Sequence, residues 1–224
     1  MSIHQSDGVG PREDAVANLP ADGQSDLSQI DEAFDKPYDL SAQDGLPNHA
    51  APGTRIMSGR YPIISGLEHD EFGHPTASPK LHAQMSAKRR KKLQALGESL
   101  PTPEIYGPAQ GNVLLVSWGS SKGPVREAIN RARVSGEIYS AIHLKHLFPL
   151  PPGLDKIFAN FNHVLVVELN DEGLYGYGQF AGLLRARYCL SKIRGINKVE
   201  GLNWKVREIL ERVKATVTAE SVKN

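Results

Sequence analysis

The chain has 224 residues, a formal net charge of +1 and a hydrophobic fraction of 40%. That is enough for one real core but gives no overall electrostatic reason to bind nucleic acid or an acidic membrane. No run approaches the ~18 apolar residues of a membrane span. A single cysteine, Cys189, excludes an internal disulfide and fits a reducing cytoplasm, where a soluble intracellular protein is expected.

Residues 1–52 contain five prolines, four glycines and ten acids against only Arg12 and Lys36. Low hydrophobicity with net negative charge predicts a disordered acidic tail over residues 1–37, with at most a short docking turn around Ala33–Tyr38. An extended arm is expected over residues 38–108. Within it, turn formers lead to a polar knot, Glu68, His69, Asp70 and Glu71, followed by His74. Four such residues in a row cannot share one face of a helix or strand, so a loop is expected. His69 and His74 with a carboxylate are ordinary metal donors, but the ligand spacing matches no known site, and charge pairing with the following segment is the simpler reading.

That segment, residues 80–97, carries no acid and places Leu81, Met85, Leu93 and Leu96 at approximate helical spacing. It reads as a basic helix ended by Gly97. Its cluster Lys88–Lys92, including Arg89 and Arg90, can hold phosphates or meet an acidic partner surface. The proline-containing stretch 98–108 reads as a linker.

Residues 109–216 read as one α/β domain, with a short flexible tail over 217–224. Three apolar runs, Val113–Trp118, Ile138–Leu144 and Val164–Leu169, suit strands buried on both faces of a parallel sheet. Helical segments separate them; in the first, Pro124 stands in the opening turn and Val125, Ala128, Ile129 and Ala132 repeat at helical spacing. The loop Gly119–Gly123 before this helix can present amides to an anion, though its spacing is not that of a P-loop. His143, Lys145 and His146 follow the second strand, where packing or a rigid turn is expected. After the third strand, Gly176-x-Gly178-x-x-Ala181 has the form of a dinucleotide fingerprint, with Glu200 at a suitable distance. Glu168, Asp171 and Glu172 stand between strand and glycines and would repel a pyrophosphate. Tyr177, Phe180, Ala181, Leu184 and Tyr188 mark the next helix, and Cys189 near its end reads as a buried or inert thiol. A fourth short strand at Ile196–Val199 and an amphipathic helix through Val206, Ile209, Leu210 and Val213 close the chain.

In this order, SGLEHDEFGH, the basic helix, GNVLLVSWGSSKGPVREAI, LFPLPPG, VLVVELN and GQFAGLLR resemble the C-terminal portion of the α subunit of 2-oxoacid:ferredoxin oxidoreductases, most similar to the 2-oxoglutarate type, over residues 38–213. The resemblance implies a transketolase C-terminal-like domain, an open, mostly parallel sheet of about five strands. It implies an enzyme that oxidatively decarboxylates a 2-oxoacid to an acyl-CoA with thiamine diphosphate, Mg and an iron–sulfur cluster, passing electrons to ferredoxin. Implied partners are a thiamine-diphosphate-binding β subunit and the remaining α or γ parts. The pyrimidine-binding domain of such enzymes has no counterpart here, so an assembly role and an inactive isolated chain are expected. No catalytic or cofactor residue carries over. Glu68, His69, Asp70, Glu71, Arg89, Arg90 and Gln179 are the candidate interface or functional-loop residues. The alternative is a stand-alone nucleotide- or CoA-binding module using Gly119–Gly123 and the basic helix.

Overall fold

The computed structural model describes residues 36–47 and 65–221, so the expected acidic tail before residue 36 and the segment 48–64 lie outside the described residues. The chain divides into two compact units, Met1–Ala95 and Leu96–Asn224.

The first unit holds a turn-rich segment, residues 36–47, the loop beginning at Ser65 and most of helix α1, Pro79–Ser99. The helix forms where expected, but it runs through Gly97 instead of ending there. Gly97 is an internal small position, since a Cβ would lie 3.2 Å from Pro149 Cβ. Only Met85 of the anticipated apolar set is buried, together with Lys88.

The second unit is a five-stranded sheet in the order β1-β3-β2-β4-β5. Its strands are β1 (Ile105–Tyr106), β2 (Gly111–Trp118), β3 (Tyr139–Leu144), β4 (Phe161–Glu168) and β5 (Ile193–Asn197). The last four are parallel, and β1 pairs antiparallel with β3 at the edge. The stretch expected as a linker therefore supplies a two-residue strand, whose register Ile105↔Ile142 is set by the neighbour and not by any apolar run of its own. The fourth strand lies earlier than expected, and Val199 is 71% exposed beyond its end.

Helices α2 (Lys122–Val134), α3 (Leu154–Ala159), α4 (Gln179–Tyr188) and α5 (Val206–Ser221) complete the unit. Alternation along the strands sorts the core into two layers. Val113, Leu115, Leu165 and Val167 pack with Val125, Ala128 and Ile129 of α2 and Ile209 and Val213 of α5. Leu114, Val116, Val164 and Val166 face Leu154 and Phe158 of α3 and Phe180 and Leu184 of α4. Leu114, Leu115, Val164, Leu165 and Val166 are each fully buried, every one contributing roughly 1.5–3 kcal/mol. β2 stands centrally, its chain successors leading to opposite sides. The carboxyl ends of β2, β3, β4 and β5 thus line up along one crest, the usual place for function in an open α/β sheet. α5 continues to Ser221, through positions expected in the flexible tail.

Candidate functional site

Two groups of polar residues were expected to carry function: the acidic loop with the basic helix, and the loops at the crest of the sheet. In the first unit each acid of the knot turns to a different partner. Glu68 accepts from Arg89 through both guanidinium nitrogens, Nη1 lying 3.3 Å from Oε2, and from His82 Nδ1 at 2.5 Å. The Arg89 guanidinium is the main reason that its carboxyl is held down to about 2. Asp70 accepts the amide hydrogens of Phe72 and His74, both at 2.9 Å, and lies 3.4 Å from His74 Nδ1. Burial pushes this carboxyl up, but the amides of His74 and Phe72 together with the His74 imidazole outweigh it, and it sits below its ordinary value. Glu71 accepts Leu40 N–H at 3.0 Å and lies 3.8 Å from Lys36. His69 stacks on Tyr38 with ring centroids 3.9 Å apart, its Nδ1 directed at Asp70 O at 2.9 Å.

The knot is a loop, as its composition required. Its side chains diverge, and among the described residues no three His, Cys, Asp or Glu side chains come together as metal donors. The basic helix is divided in the same way. Lys88 is buried and donates to the carbonyls of Gly45 and Leu46 at 3.1 and 2.9 Å, and Lys91 reaches Ala42 O at 3.3 Å. Gly45 (φ +72°) approaches so closely that a Cβ would stand 2.7 Å from Lys88 O. Arg90 is exposed. Glu68 and Arg89 are brought together, while Gln179 belongs to the second unit, exposed as the first residue of α4.

At the crest the decisive residue is Glu168, the last of β4 and fully buried. Its Oε2 accepts Phe180 N–H and its Oε1 accepts Ala181 N–H, both at 2.9 Å. Asn170 Nδ2 donates to Glu168 Oε2 at 2.8 Å, and Asn197 Nδ2 donates to Asn170 Oδ1 at 2.9 Å. Helix α4 starts behind a glycine, Gly178, with no capping side chain of its own. Its free amides and positive dipole end are therefore satisfied by a carboxylate reaching across from the sheet. This settles the fingerprint-like glycines: the amides that would take a pyrophosphate already hold Glu168. Gly178 is required for the same reason, because a Cβ there would meet Asn197 Nδ2 at 2.5 Å and Glu168 Oε1 at 2.8 Å. The sequence did carry a signal for this contact, an acid closing an apolar strand shortly before a helix whose N-cap glycine offers no side-chain acceptor.

Further along the crest, Ser117 and His143 face each other across β2 and β3. Ser117 Oγ lies 3.1 Å from Ile142 O and 2.9 Å from His143 Nδ1. A hydroxyl that donates to the carbonyl accepts the Nδ1 proton, which leaves Nε2 as the acceptor of a neutral ring. Burial, helped by Lys122, Arg126 and Lys145, keeps the imidazole below its ordinary value. Of the two readings of the thiol, buried or inert, burial does not hold: Cys189 is exposed, in the left-handed conformation (φ 53°) that terminates α4. Lys198 is buried instead, paired with Glu208 at 2.7 Å and lying over the Trp204 ring, while Glu200 stands 3.7 Å from the same ammonium.

No protein-family model matches the chain. It is 32% identical over 163 residues to subunit α of 2-oxoacid:ferredoxin oxidoreductase 2 from Aeropyrum pernix, covering 71% of this chain and 24% of that subunit. It is also 32% identical over 184 residues to the 2-oxoglutarate oxidoreductase subunit KorA of Mycobacterium tuberculosis, covering 81% of this chain and 26% of that one. This chain is related to the α subunits of 2-oxoacid:ferredoxin oxidoreductases. Among solved structures, the 2-oxoglutarate:ferredoxin oxidoreductase of Magnetococcus marinus, with 2-oxoglutarate, coenzyme A and succinyl-CoA bound, matches with a TM-score of 0.65 and 31% identity. The match covers 87% of this chain and 31% of that one. The chain thus spans about a quarter of the length of the curated α subunits it matches.

The donor chemistry of this oxidoreductase-related chain does not fit the redox cofactor of the class. Iron–sulfur clusters are commonly held by four cysteine thiolates, and the sequence has one cysteine. Nor does the start of α4 fit a thiamine diphosphate, since its amides are held by Glu168.

Proposed function

We propose that the chain acts as a C-terminal module of the α subunit of a 2-oxoglutarate-type 2-oxoacid:ferredoxin oxidoreductase and contributes to its assembly. Thiamine diphosphate with its Mg, the iron–sulfur cluster and the CoA-dependent step are assigned to the rest of the complex. Its partners are then a thiamine-diphosphate-binding β subunit and the remaining α or γ parts, with ferredoxin reached indirectly. Within this reading the protein works in the cytoplasm, in keeping with its single cysteine.

The observation that carries this reading is the likeness across 87% of the chain to one part of a 2-oxoglutarate:ferredoxin oxidoreductase. A second observation supports a role in assembly over ligand binding: one helix start that could hold an anion, that of α4, is filled by Glu168. The same contact weighs against a stand-alone dinucleotide module at the Gly176–Ala181 segment. Arg90 and the exposed Gln179 remain the interface candidates, Arg89 being taken up by Glu68. The test is reconstitution. The 224-residue chain alone should reduce no ferredoxin with 2-oxoglutarate and CoA, and adding it to the complementary subunits from the same host should raise activity and co-migrate with them. Turnover by the chain alone, or no co-migration, would refute the proposal.

A further inference from the structure

At the carboxyl ends of β2 and β3 stands a group of like charges that the fold leaves unneutralised. Ser117 continues the row of Val113 and Leu115 along β2, and His143 that of Ala141 along β3, so both lie on the α2 side of the sheet. Ser117 is buried, whereas His143 is only half-buried. Lys122 and Arg126 stand one turn apart on α2, and Lys145 directly follows β3; all three are exposed. These are the charges that act on His143, and they have one sign.

No acid of the neighbouring elements answers them. Glu127, the one acid of α2, accepts from Arg131 Nε at 2.8 Å. Glu104, just before β1, is exposed and is not among the charges acting on the imidazole. Among the described residues Lys122, Arg126 and Lys145 form no ion pair. Arg126 is steadied from below, 4.6 Å from the Tyr106 ring centroid, while Tyr106 donates to Asn130 Oδ1 at 2.7 Å. Space is open beside the bases, since a Cβ on Gly119 or Gly123 would meet nothing within 4 Å.

The imidazole among them is oriented. Ser117 Oγ takes Nδ1–H at 2.9 Å while donating to Ile142 O at 3.1 Å, which leaves the Nε2 lone pair as the free polar group of the ring. Nδ1–H keeps that partner whether or not Nε2 carries a proton, so the ring can gain charge without moving. A dianion offers what the group lacks: two negative charges to set against the bases, and several acceptor oxygens for Lys, Arg and imidazole donors at once.

We infer that Lys122, Arg126, Lys145 and His143 Nε2 form a binding site for a dianionic phosphate group, either the free ion or a phosphomonoester. As the dianion binds, the imidazole takes one proton from solvent and donates Nε2–H to a phosphate oxygen, while Ser117 holds Nδ1–H. Binding and protonation are then linked, each favouring the other by the same factor. The site lies wholly in the second unit and stands whether or not the chain joins a larger enzyme.

The test follows the His143 Cε1–H resonance of the full chain by NMR against pH, with His143→Gln identifying the signal. Inorganic phosphate, at an ionic strength held constant with sodium chloride, should raise the midpoint by about one pH unit, a tenfold gain in proton affinity. Lys122→Gln with Lys145→Gln should lift the phosphate-free midpoint and abolish the further rise. Its melting temperature should stay within about 2 °C of the parent, because both side chains are exposed and unpaired. Adenosine 5′-monophosphate acting at lower concentration than phosphate would make a phosphomonoester the ligand, and no such advantage would make it the free ion; either upholds the site. A midpoint that phosphate does not move refutes it, as does a rise that chloride alone reproduces, which is mere screening of the bases. A phosphate-dependent rise that survives the double lysine variant puts the anion elsewhere and overturns the assignment.

Discussion

Glu168→Gln removes one charge from the middle of the second unit without changing its shape. The parent carboxylate is fully buried and takes one backbone N–H on each oxygen, with Asn170 Nδ2 adding a third donor. Glutamine keeps one acceptor oxygen, so its amide group must face one of these donors and leaves at least one of them unsatisfied, at ~1–3 kcal/mol. Loss of the negative charge at the start of α4 adds about 0.3–2 kcal/mol in a buried setting. A total of ~1.3–5 kcal/mol is expected, which at about 4 °C per kcal/mol lowers the melting temperature by roughly 5–20 °C. Calorimetry reads the melt, and amide exchange should show protection falling first at Phe180 and Ala181. The opposing effect is the desolvation of an ionised group, which can exceed what its partners return. A variant that melts within 2 °C of the parent or above it, with those two amides still protected, would refute the view that the carboxylate holds the crest together.

Because Glu68 is held down to about 2 from an ordinary 4.5, its contribution to the first unit is complete above pH 4.5 and disappears as the pH falls through about 2; NMR shifts of His82 and Arg89 against pH should follow that window. Arg89→Glu sets two carboxylates face to face and should release the loop from α1, seen as faster proteolysis within residues 65–76, with the second unit's melt unchanged. Arg90→Glu, at an exposed position, should leave both melts within 2 °C and weaken assembly with partner subunits about tenfold, ~1.4 kcal/mol, measured by interferometry. Lys88→Met should keep α1 intact but free residues 36–47, because the carbonyls of Gly45 and Leu46 lose their donor; loss of amide protection confined to that segment is the expected readout.

The second unit was legible because its signals are local and apolar. Runs such as Val164–Leu169 and the spacing of Val125, Ala128, Ile129 and Ala132 fix strands and a helix through burial alone, and the layers follow from their alternation. Edges escaped for a physical reason. Ile105–Tyr106 has no pattern of its own and becomes a strand only by pairing with β3, and β5 is fixed by its register with β4, Val164↔Ile193 to Glu168↔Asn197, more than by its apolar content. The exposure of Cys189 was not legible because helix termination by a residue at positive φ depends on a backbone conformation that composition does not reveal. The polar residues were the hardest. Which oxygen of Glu168 meets which amide is a tertiary fact across 12 and 13 positions of chain.

The two polar groups obey one rule in different settings. In the first unit the acids Glu68, Asp70 and Glu71 and the bases Lys88, Arg89 and Lys91 looked like two opposed charge clusters. They are instead separate tethers, each fastening a segment that lacks apolar content of its own. Exposed pairs of this kind contribute only about 0–1 kcal/mol each, so the segment depends on several acting together and on the carbonyls that Lys88 satisfies. At the crest the same chemistry centres on a fully buried carboxylate and is correspondingly costly to disturb, since water does not readily replace a missing partner of Glu168. Charge-dense sequence in this chain therefore marks where backbone needs holding. Arg90, exposed on α1 and outside these tethers, is therefore the base whose substitution should leave the first unit's fold unchanged.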